Sequence, residues 1–225
     1  MDLKNLVIIG TSHISRNSVR DVRKSIEKIN PLIVCVELDK GRYLALKNKK
    51  KGESRRIGFK EISTLGFKGY LFVVVGAFIQ KKLGNLVKTE PGSEMKEVIN
   101  LSKEFDFKIA LIDRDIRITL RRFSKAWKFR DTLRVLFEFI RGVFKPRKLK
   151  FDLKEVPSDK VIDELIDELK IKFPSVYEVL ISERNVYMAR KIAKLLKTYP
   201  DDKILAIVGA GHKSEIIKLL KFNFE

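Results

Sequence analysis

The sequence contains two apolar runs that each end in the pattern Gly-x-x-His. The first extends from Leu6 to Gly10 and leads to His13, and the second extends from Ile204 to Gly209 and leads to His212. A short run rich in Ile and Val that ends at a glycine is typical of a buried strand followed by a turn into a helix. These are the only two histidines in the chain, and open α/β sheets bind ligands at the carboxyl ends of their strands. The matched pair favours one shared site, although a single histidine in this position more often caps a helix or bonds to a loop.

Two further predicted strands are followed by acidic residues. The apolar run Leu32 to Val36 precedes Glu37, and the run Lys108 to Ile112 precedes Asp113. Helical stripes of apolar residues separate the four runs. The sequence therefore predicts an α/β fold with a small, mostly parallel sheet of about four core strands flanked by many helices. For Glu37, an ion pair with Arg42 or a helix cap is the alternative to a role in a site.

A polar cluster interrupts the apolar face of the helix predicted from Ser175 to about Leu196. Its members are Ser182, Glu183, Arg184 and Asn185. If the cluster faces the sheet edge, Glu183 and Arg184 belong to a site. If it faces solvent, they form an ordinary surface ion pair that contributes less than ~1 kcal/mol to stability. The sequence leaves both alternatives open.

A basic stretch between Arg117 and Lys150 contains twelve Lys or Arg residues and two acids, interleaved with aromatic and aliphatic residues. This composition predicts a basic amphipathic helical insertion. It contacts an anionic membrane surface, or it packs on the core and extends its lysines into solvent. No nucleic-acid-binding motif accompanies the basic residues, so we expect no nucleic-acid partner despite the formal net charge of +19.

Length and cysteine content narrow the class of protein further. A chain of 225 residues suits a single domain, here residues 1–225, with a substantial core. The lone Cys35 lies inside an apolar run and offers neither a disulfide framework nor a thiol metal cluster. No signal peptide is visible, so we expect a cytoplasmic protein, with or without membrane association. The apolar stretch Gly69 to Ile79 is too short to span a bilayer and predicts a buried helix or a homodimer contact.

Six motifs, taken together and in this order, resemble the TraB/PrgY family. They are Gly10 to His13, Glu37 to Asp39 with Arg42, Glu90 to Met95, Asp113 to Asp115 with Thr119 to Arg121, Ser182 to Asn185, and Val208 to His212. The match extends over nearly the whole chain and is far more specific than either Gly-x-x-His alone. The resemblance implies a TraB domain, related to the TIKI metalloproteases and more distantly to the erythromycin-esterase and ChaN-like folds. Many family members continue into a hydrophobic C-terminal region, so we expect a soluble member or the soluble domain of a longer protein.

The resemblance also implies a chemistry. Relatives shut down or cleave signalling peptides, and the TIKI branch depends on a divalent metal, with Mn²⁺ or Co²⁺ favoured and Zn²⁺ as a further choice. Carried over motif by motif, the family implies three groups of residues. They are the metal ligands His13, His212 and Glu37, the catalytic residues Glu37, Glu183 and Arg184, and the substrate-binding or supporting residues Arg42, Asp113, Arg114 and Asn185.

Elementary metal chemistry is compatible with this assignment. Two imidazoles and one or two carboxylates suit a divalent ion that activates water, and a further carboxylate then acts as general base. The sequence lacks His-Glu-x-x-His, which excludes the common zinc-protease arrangement. The sequence thus predicts a metal-dependent hydrolase that acts on a peptide. The alternative is a non-catalytic protein that sequesters a peptide and is recruited to a membrane.

Overall fold

The computed structural model describes residues 3–11, 16–48, 92–128, 130–134, 137 and 159–222. Within these ranges, helices alternate with four strands, as the sequence predicts. In chain order the elements are β1 Leu6–Thr11, α1 Arg16–Ile29, β2 Ile33–Val36, α2 Lys40–Asn48, α3 Ser93–Leu101, β3 Lys108–Leu111, α4 Ile116–Ala126, α5 Asp159–Lys172, α6 Pro174–Tyr177, a π-helical turn at Glu178–Ser182, α7 Glu183–Thr198, β4 Ile204–Gly209 and α8 Ala210–Phe222.

The four strands form one parallel sheet in the order β1-β4-β2-β3. All six residues of β4 are buried, which is typical of a central parallel strand covered by helices on both faces. The register pairs Thr11 of β1 with Gly209 of β4. The predicted α/β class is therefore confirmed, and the two strands that lead into Gly-x-x-His are neighbours. His13 itself lies outside the described residues.

Alternate residues of the central strands supply two hydrophobic layers, because successive side chains point to opposite faces of a sheet. On one face, Cys35, Ala206 and Val208 pack against apolar residues of α7 and α8. On the other face, Val36 and Ile207 pack against residues of α1 and α3. Cys35 is fully enclosed, and burial raises the pKa of its thiol to about 12. The prediction that this cysteine belongs to the core is confirmed.

Only part of the predicted basic insertion lies within the described residues. Its first helix, α4, turns Thr119 and Phe123 inwards and leaves Arg117, Arg121 and Arg122 exposed, so this part packs on the core. The apolar stretch from Gly69 to Ile79 lies outside the described residues. Where the structure describes the chain, no helix combines the length and apolarity needed to cross a bilayer.

Two glycines let α8 begin close to other elements. A Cβ added at Gly10 would lie 3.1 Å from the Cα of Ala210, which is main chain and cannot turn away. A Cβ at Gly211 would lie 3.2 Å from Cδ1 of Ile166, the movable end of a side chain. The first contact is therefore the stricter of the two.

We expect Gly10→Ala to lower the free energy of unfolding by about 1–3 kcal/mol, as overpacking against fixed atoms does. Gly211→Ala should cost less, because Ile166 can rotate and because alanine is the better helix former by up to about 1 kcal/mol. Urea denaturation of the two variants and the wild type measures both values. A larger loss for Gly211→Ala than for Gly10→Ala would contradict this account.

Candidate functional site

Four of the predicted site residues meet at the carboxyl ends of the strands. Glu37 follows β2, Asp113 follows β3, and His212 lies in the first turn of α8 directly after β4. Arg184 reaches the same place from α7. Glu37, Asp113 and His212 are each 5% exposed. The structure therefore brings together side chains from three strand ends and one helix in a largely desolvated cluster, at the edge of the sheet where ligands bind in such folds.

Arg184 is the centre of this cluster. Its Nε and Nη2 donate to the two carboxylate oxygens of Asp113, at 3.1 and 2.9 Å, and Nη2 also donates to Oε1 of Glu37. Its Nη1 donates to the carbonyl oxygen of Leu180 at 3.1 Å and lies 3.1 Å from Nε2 of His212. Burial by itself lowers the pKa of Arg184, but the charges of Glu37 and Asp113 outweigh it and hold the pKa above its ordinary value.

Glu37 ties the ends of two strands together. Its Oε2 accepts a hydrogen bond from the backbone N–H of Gly209 at 2.6 Å, and its Oε1 lies 3.4 Å from Nε2 of His212. The alternative prediction for Glu37 was an ion pair with Arg42. In the structure, Arg42 donates to the carbonyl oxygen of Glu37 at 3.2 Å, while the carboxylate of Glu37 pairs with Arg184.

Arg42 supports the cluster from α2. Its Nε donates to Oδ2 of Asp39 at 2.9 Å, and its Nη2 donates to Asp113. Asp113 thus accepts from two arginines, Arg42 and Arg184, and its side chain is almost wholly enclosed. Arg42 therefore contacts Asp113 directly and is connected to Arg184 through that carboxylate.

On its Nδ1 side, His212 meets a chain of hydrogen-bonded residues from three helices, α6, α7 and α8. Its Nδ1 lies 2.6 Å from Oδ1 of Asn185, and Nδ2 of Asn185 donates to Oε2 of Glu215 at 2.8 Å. The hydroxyl of Tyr177 donates to the same oxygen of Glu215 at 3.0 Å. Sequence reasoning included Asn185 and missed Glu215 and Tyr177. A signal for Glu215 was present, because it lies three residues after His212 and helical residues at that spacing share a face.

Glu183 and Arg114 form a second cluster. Nη1 of Arg114 donates to Oε2 of Glu183 at 2.8 Å, and Arg122 donates to both carboxylate oxygens of Glu183 at 2.7 Å. Burial by itself raises the pKa of Glu183, but the hydrogen bonds from Arg122 and Arg114 outweigh it and hold the pKa below its ordinary value. Adjacent residues of a helix point about 100° apart, so Glu183 joins α7 to α4 while Arg184 turns towards the sheet.

The donor set of the first cluster is suited to part of a metal site. Among the described residues, no three His, Cys, Asp or Glu side chains form a group that would hold an ion. Oε1 of Glu37 and Nε2 of His212, two atoms of the kinds that bind divalent ions, lie 3.4 Å apart. The guanidinium of Arg184 at present spans the same two atoms.

Comparison with known proteins identifies the family of the chain. The model of the TraB/PrgY/gumN family matches residues 2–222, a range that includes every residue of both clusters. The chain belongs to the TraB/PrgY/gumN family. The resemblance predicted from the six motifs is thereby confirmed.

Relatives within the family come from archaea and animals. The chain is 33% identical over 218 residues to Uncharacterized protein MJ1365 of Methanocaldococcus jannaschii, an alignment that covers 96% of this chain and 53% of the relative. It is 26% identical over 243 residues to the TraB domain-containing proteins of Mus musculus and Homo sapiens, covering 96% of this chain and 63% of each relative. The chain thus spans between about half and two thirds of the length of these curated relatives.

The Glu183 cluster makes stability depend on acid pH in a defined direction. The folded pKa of Glu183 is lower than its ordinary value of 4.5, so its contribution is complete above that value and is lost as the pH falls through the folded pKa. We expect Glu183→Gln to lower the free energy of unfolding at pH 7 by about 1–2 kcal/mol, a figure reduced because Arg122 is half exposed. The gap between variant and wild type should narrow as the pH falls below 4.5.

Urea denaturation at pH 7 and at several acid values measures this gap. Glu164→Gln is the matched control, because Glu164 is exposed on α5 and its replacement removes one charge without touching the cluster. A gap for Glu183→Gln that stays constant from pH 7 to below 4 would show that the Glu183 carboxylate is not stabilised by Arg114 and Arg122.

Proposed function

We propose that this site hydrolyses a peptide bond with the assistance of a divalent metal ion, and that the reaction inactivates a signalling peptide. The observation that carries the proposal is the 3.4 Å approach of Oε1 of Glu37 to Nε2 of His212. A buried carboxylate and a buried imidazole side by side are the kinds of side chain that hold divalent ions in hydrolytic sites.

In this proposal, His212 and Glu37 hold the ion together with His13. Thr11, the last residue of β1, pairs with Gly209 at the end of β4, and His13 follows Thr11 by two positions in the sequence. The family resemblance favours Mn²⁺ or Co²⁺, with Zn²⁺ as a further choice. When bound, such an ion supplies Lewis acidity and a water molecule of lowered pKa.

Arg184 binds substrate in the proposed reaction. Its guanidinium contacts Glu37 and His212 and also donates two hydrogen bonds to the carboxylate of Asp113. With an ion held by Glu37 and His212, Arg184 would no longer donate to these two residues, and its hydrogen bonds to Asp113 would keep its guanidinium in the site. An arginine in that position binds a substrate carboxylate or stabilises an oxyanion. Arg42 supports Asp113 in this role.

Glu37 is the better candidate than Glu183 for ligand or general base. A general base must lie within hydrogen-bond reach of the water that it deprotonates, and Glu37 is the carboxylate beside His212. Glu183 instead accepts from Arg114 and Arg122, and its lowered pKa makes it a weak base at neutral pH. We assign Glu183 and Arg114 to holding α4 against α7.

The test compares Glu37→Gln with Glu183→Gln, two substitutions that each remove one charge and keep the shape of the side chain. Turnover of a peptide library is measured with added Mn²⁺ or Co²⁺. Glu37→Gln should reduce turnover by ~10²-fold or more, because it removes either a charged ligand of the ion or the general base, whereas Glu183→Gln should retain most of it at a temperature where both variants are folded. Equal turnover in Glu37→Gln and wild type would remove Glu37 from the mechanism.

Elemental analysis of the purified protein tests the metal before any substrate is known. The wild type should retain a divalent ion after dialysis, and a His13→Ala, His212→Ala double variant should lose it. A metal content that is the same in both proteins would remove the histidines from the ligand set.

The second candidate function is that of a peptide-binding protein recruited to an anionic membrane surface. A groove next to α5 is lined by the apolar residues Leu133, Phe137 and Ile171 and by the cations Arg134 and Lys172. Phe137 and Ile171 are 64% and 79% exposed. Exposed apolar side chains rimmed by basic residues are suited to the interface of a bilayer with acidic headgroups. Binding of a peptide without turnover would favour this candidate.

We expect the protein to sediment with vesicles that contain anionic lipid and not with neutral vesicles, and added salt should weaken the binding because it screens surface charge. A Phe137→Asp, Ile171→Asp double variant should bind less. Phe222→Asp is the matched control, because Phe222 is 77% exposed at the end of α8 and does not line the groove. Equal binding to neutral and anionic vesicles would contradict the electrostatic contribution.

A further inference from the structure

We propose that Glu215 and Tyr177 are positioning residues that keep the proton of His212 on Nδ1, so that Nε2 presents a lone pair to the site. The consequence for metal binding or hydrolysis rests on the proposed function. The position of the proton itself does not, because it follows from hydrogen bonds between residues of this chain.

The orientation of the Asn185 amide is the first step of the argument. Two groups converge on Oε2 of Glu215, the hydroxyl of Tyr177 at 3.0 Å and the Asn185 amide at 2.8 Å. Burial and the neighbouring Glu215 raise the pKa of Tyr177 to about 12, so the phenol keeps its proton and donates. A carboxylate oxygen accepts only, and the Asn185 group that faces it is therefore the NH₂. Oδ1 of Asn185 must then face His212.

The proton of His212 follows from that orientation. Oδ1 of Asn185 lies 2.6 Å from Nδ1 of His212 and can only accept, so Nδ1 carries the hydrogen. On the other side of the ring, Nη1 of Arg184 lies 3.1 Å from Nε2 and can only donate. Asn185 and Arg184 therefore both require the same tautomer, with Nε2 as the acceptor. The carboxylate oxygen Oε1 of Glu37 also lies 3.4 Å from Nε2, and it accepts from Nη2 of Arg184.

The π-helical turn at Glu178–Ser182 explains how Tyr177 and Asn185 reach the same carboxylate. They are eight positions apart, and in a continuous α-helix they would point about 80° away from each other. A π-helical turn acts as an insertion of one residue, so the spacing is equivalent to about seven positions, or nearly two full turns. Both side chains then lie on the face that meets α8. Sequence periodicity predicts one uninterrupted α-helix here. The structure differs from that prediction because a π-helical turn interrupts the helix at Glu178–Ser182.

Nitrogen NMR on protein labelled with ¹⁵N-histidine tests the proposal directly. The chain has two histidines, so two imidazole rings are observed and a His13→Gln variant assigns them. We expect His212 of the wild type to show a protonated Nδ1 and an unprotonated Nε2. A protonated Nε2 in the wild type, in either the neutral or the doubly protonated ring, overturns the proposal.

Substitutions of Glu215 separate positioning from simple packing. Glu215→Met removes the acceptor and should give a mixture of His212 tautomers, whereas Glu215→Gln keeps an oxygen that accepts from both donors and should preserve the wild-type spectrum. Tyr177→Phe keeps Glu215 and should give a His212 tautomer mixture between those of the wild type and Glu215→Met. This variant provides the test if Glu215→Met does not fold. Glu97→Met is the control, because Glu97 pairs with Arg23 away from the site. An unchanged His212 spectrum in both Glu215→Met and Tyr177→Phe overturns the proposal.

Calorimetric titration with Mn²⁺ provides the functional readout. Substitution of a residue that orients a histidine ligand typically costs 10–100-fold in metal affinity, so we expect a loss of about that size for Glu215→Met and little loss for Glu215→Gln and Glu97→Met. If the wild type binds no Mn²⁺, the proposed metal function fails, and the NMR result still decides whether Glu215 and Tyr177 position His212. If Glu215→Met binds Mn²⁺ as tightly as the wild type does, the positioning role in metal binding is wrong.

Discussion

The buried ion pairs of Arg184 with Glu37 and Asp113 are the interaction on which the rest of the site depends. Removing three charges from water is costly, and their attraction offsets that cost only when the geometry is good and the remaining hydrogen-bonding atoms are paired. Here the pairing comes from the backbone of Gly209, the carbonyl of Leu180 and the side chain of Arg42. Loss of Arg184 would remove the ion pair from the buried carboxylate of Glu37, at a typical cost of about 3–5 kcal/mol.

The π-helical turn before α7 connects this cluster to its neighbour. The carbonyl oxygen of Leu180 accepts from Arg184 and that of Val179 accepts from Arg114, so one turn of main chain contacts both clusters. π-helical turns are frequent at functional sites because they change the direction of side chains without ending the helix. In this protein the turn places Arg184 against the sheet and Glu183 against α4, and it aligns Tyr177 with Asn185.

The two clusters differ in what they can do chemically. The cluster of Glu37, Arg184 and His212 is enclosed at a sheet edge and places a carboxylate oxygen 3.4 Å from an imidazole nitrogen, whereas Glu183 accepts from two arginines and joins two helices. The match to the TraB/PrgY/gumN family, over residues 2–222, includes the residues of both clusters. Family motifs by themselves therefore do not separate residues of the enclosed cluster at the sheet edge from residues that join helices.

The sequence by itself determined the four strands, the acidic and histidine residues that follow them, and the class of fold, because apolar periodicity and turn residues are local properties of the chain. Only the tertiary structure decided that β4 lies between β1 and β2 and that Glu183 and Arg184 have separate partners. It also decided that Glu215 and Tyr177 are connected to His212 by hydrogen bonds through Asn185. The physical reason is that strand order and ion-pair partners depend on how distant elements pack. A local pattern shows which face of an element is apolar, and it does not show which charged side chain that face will meet.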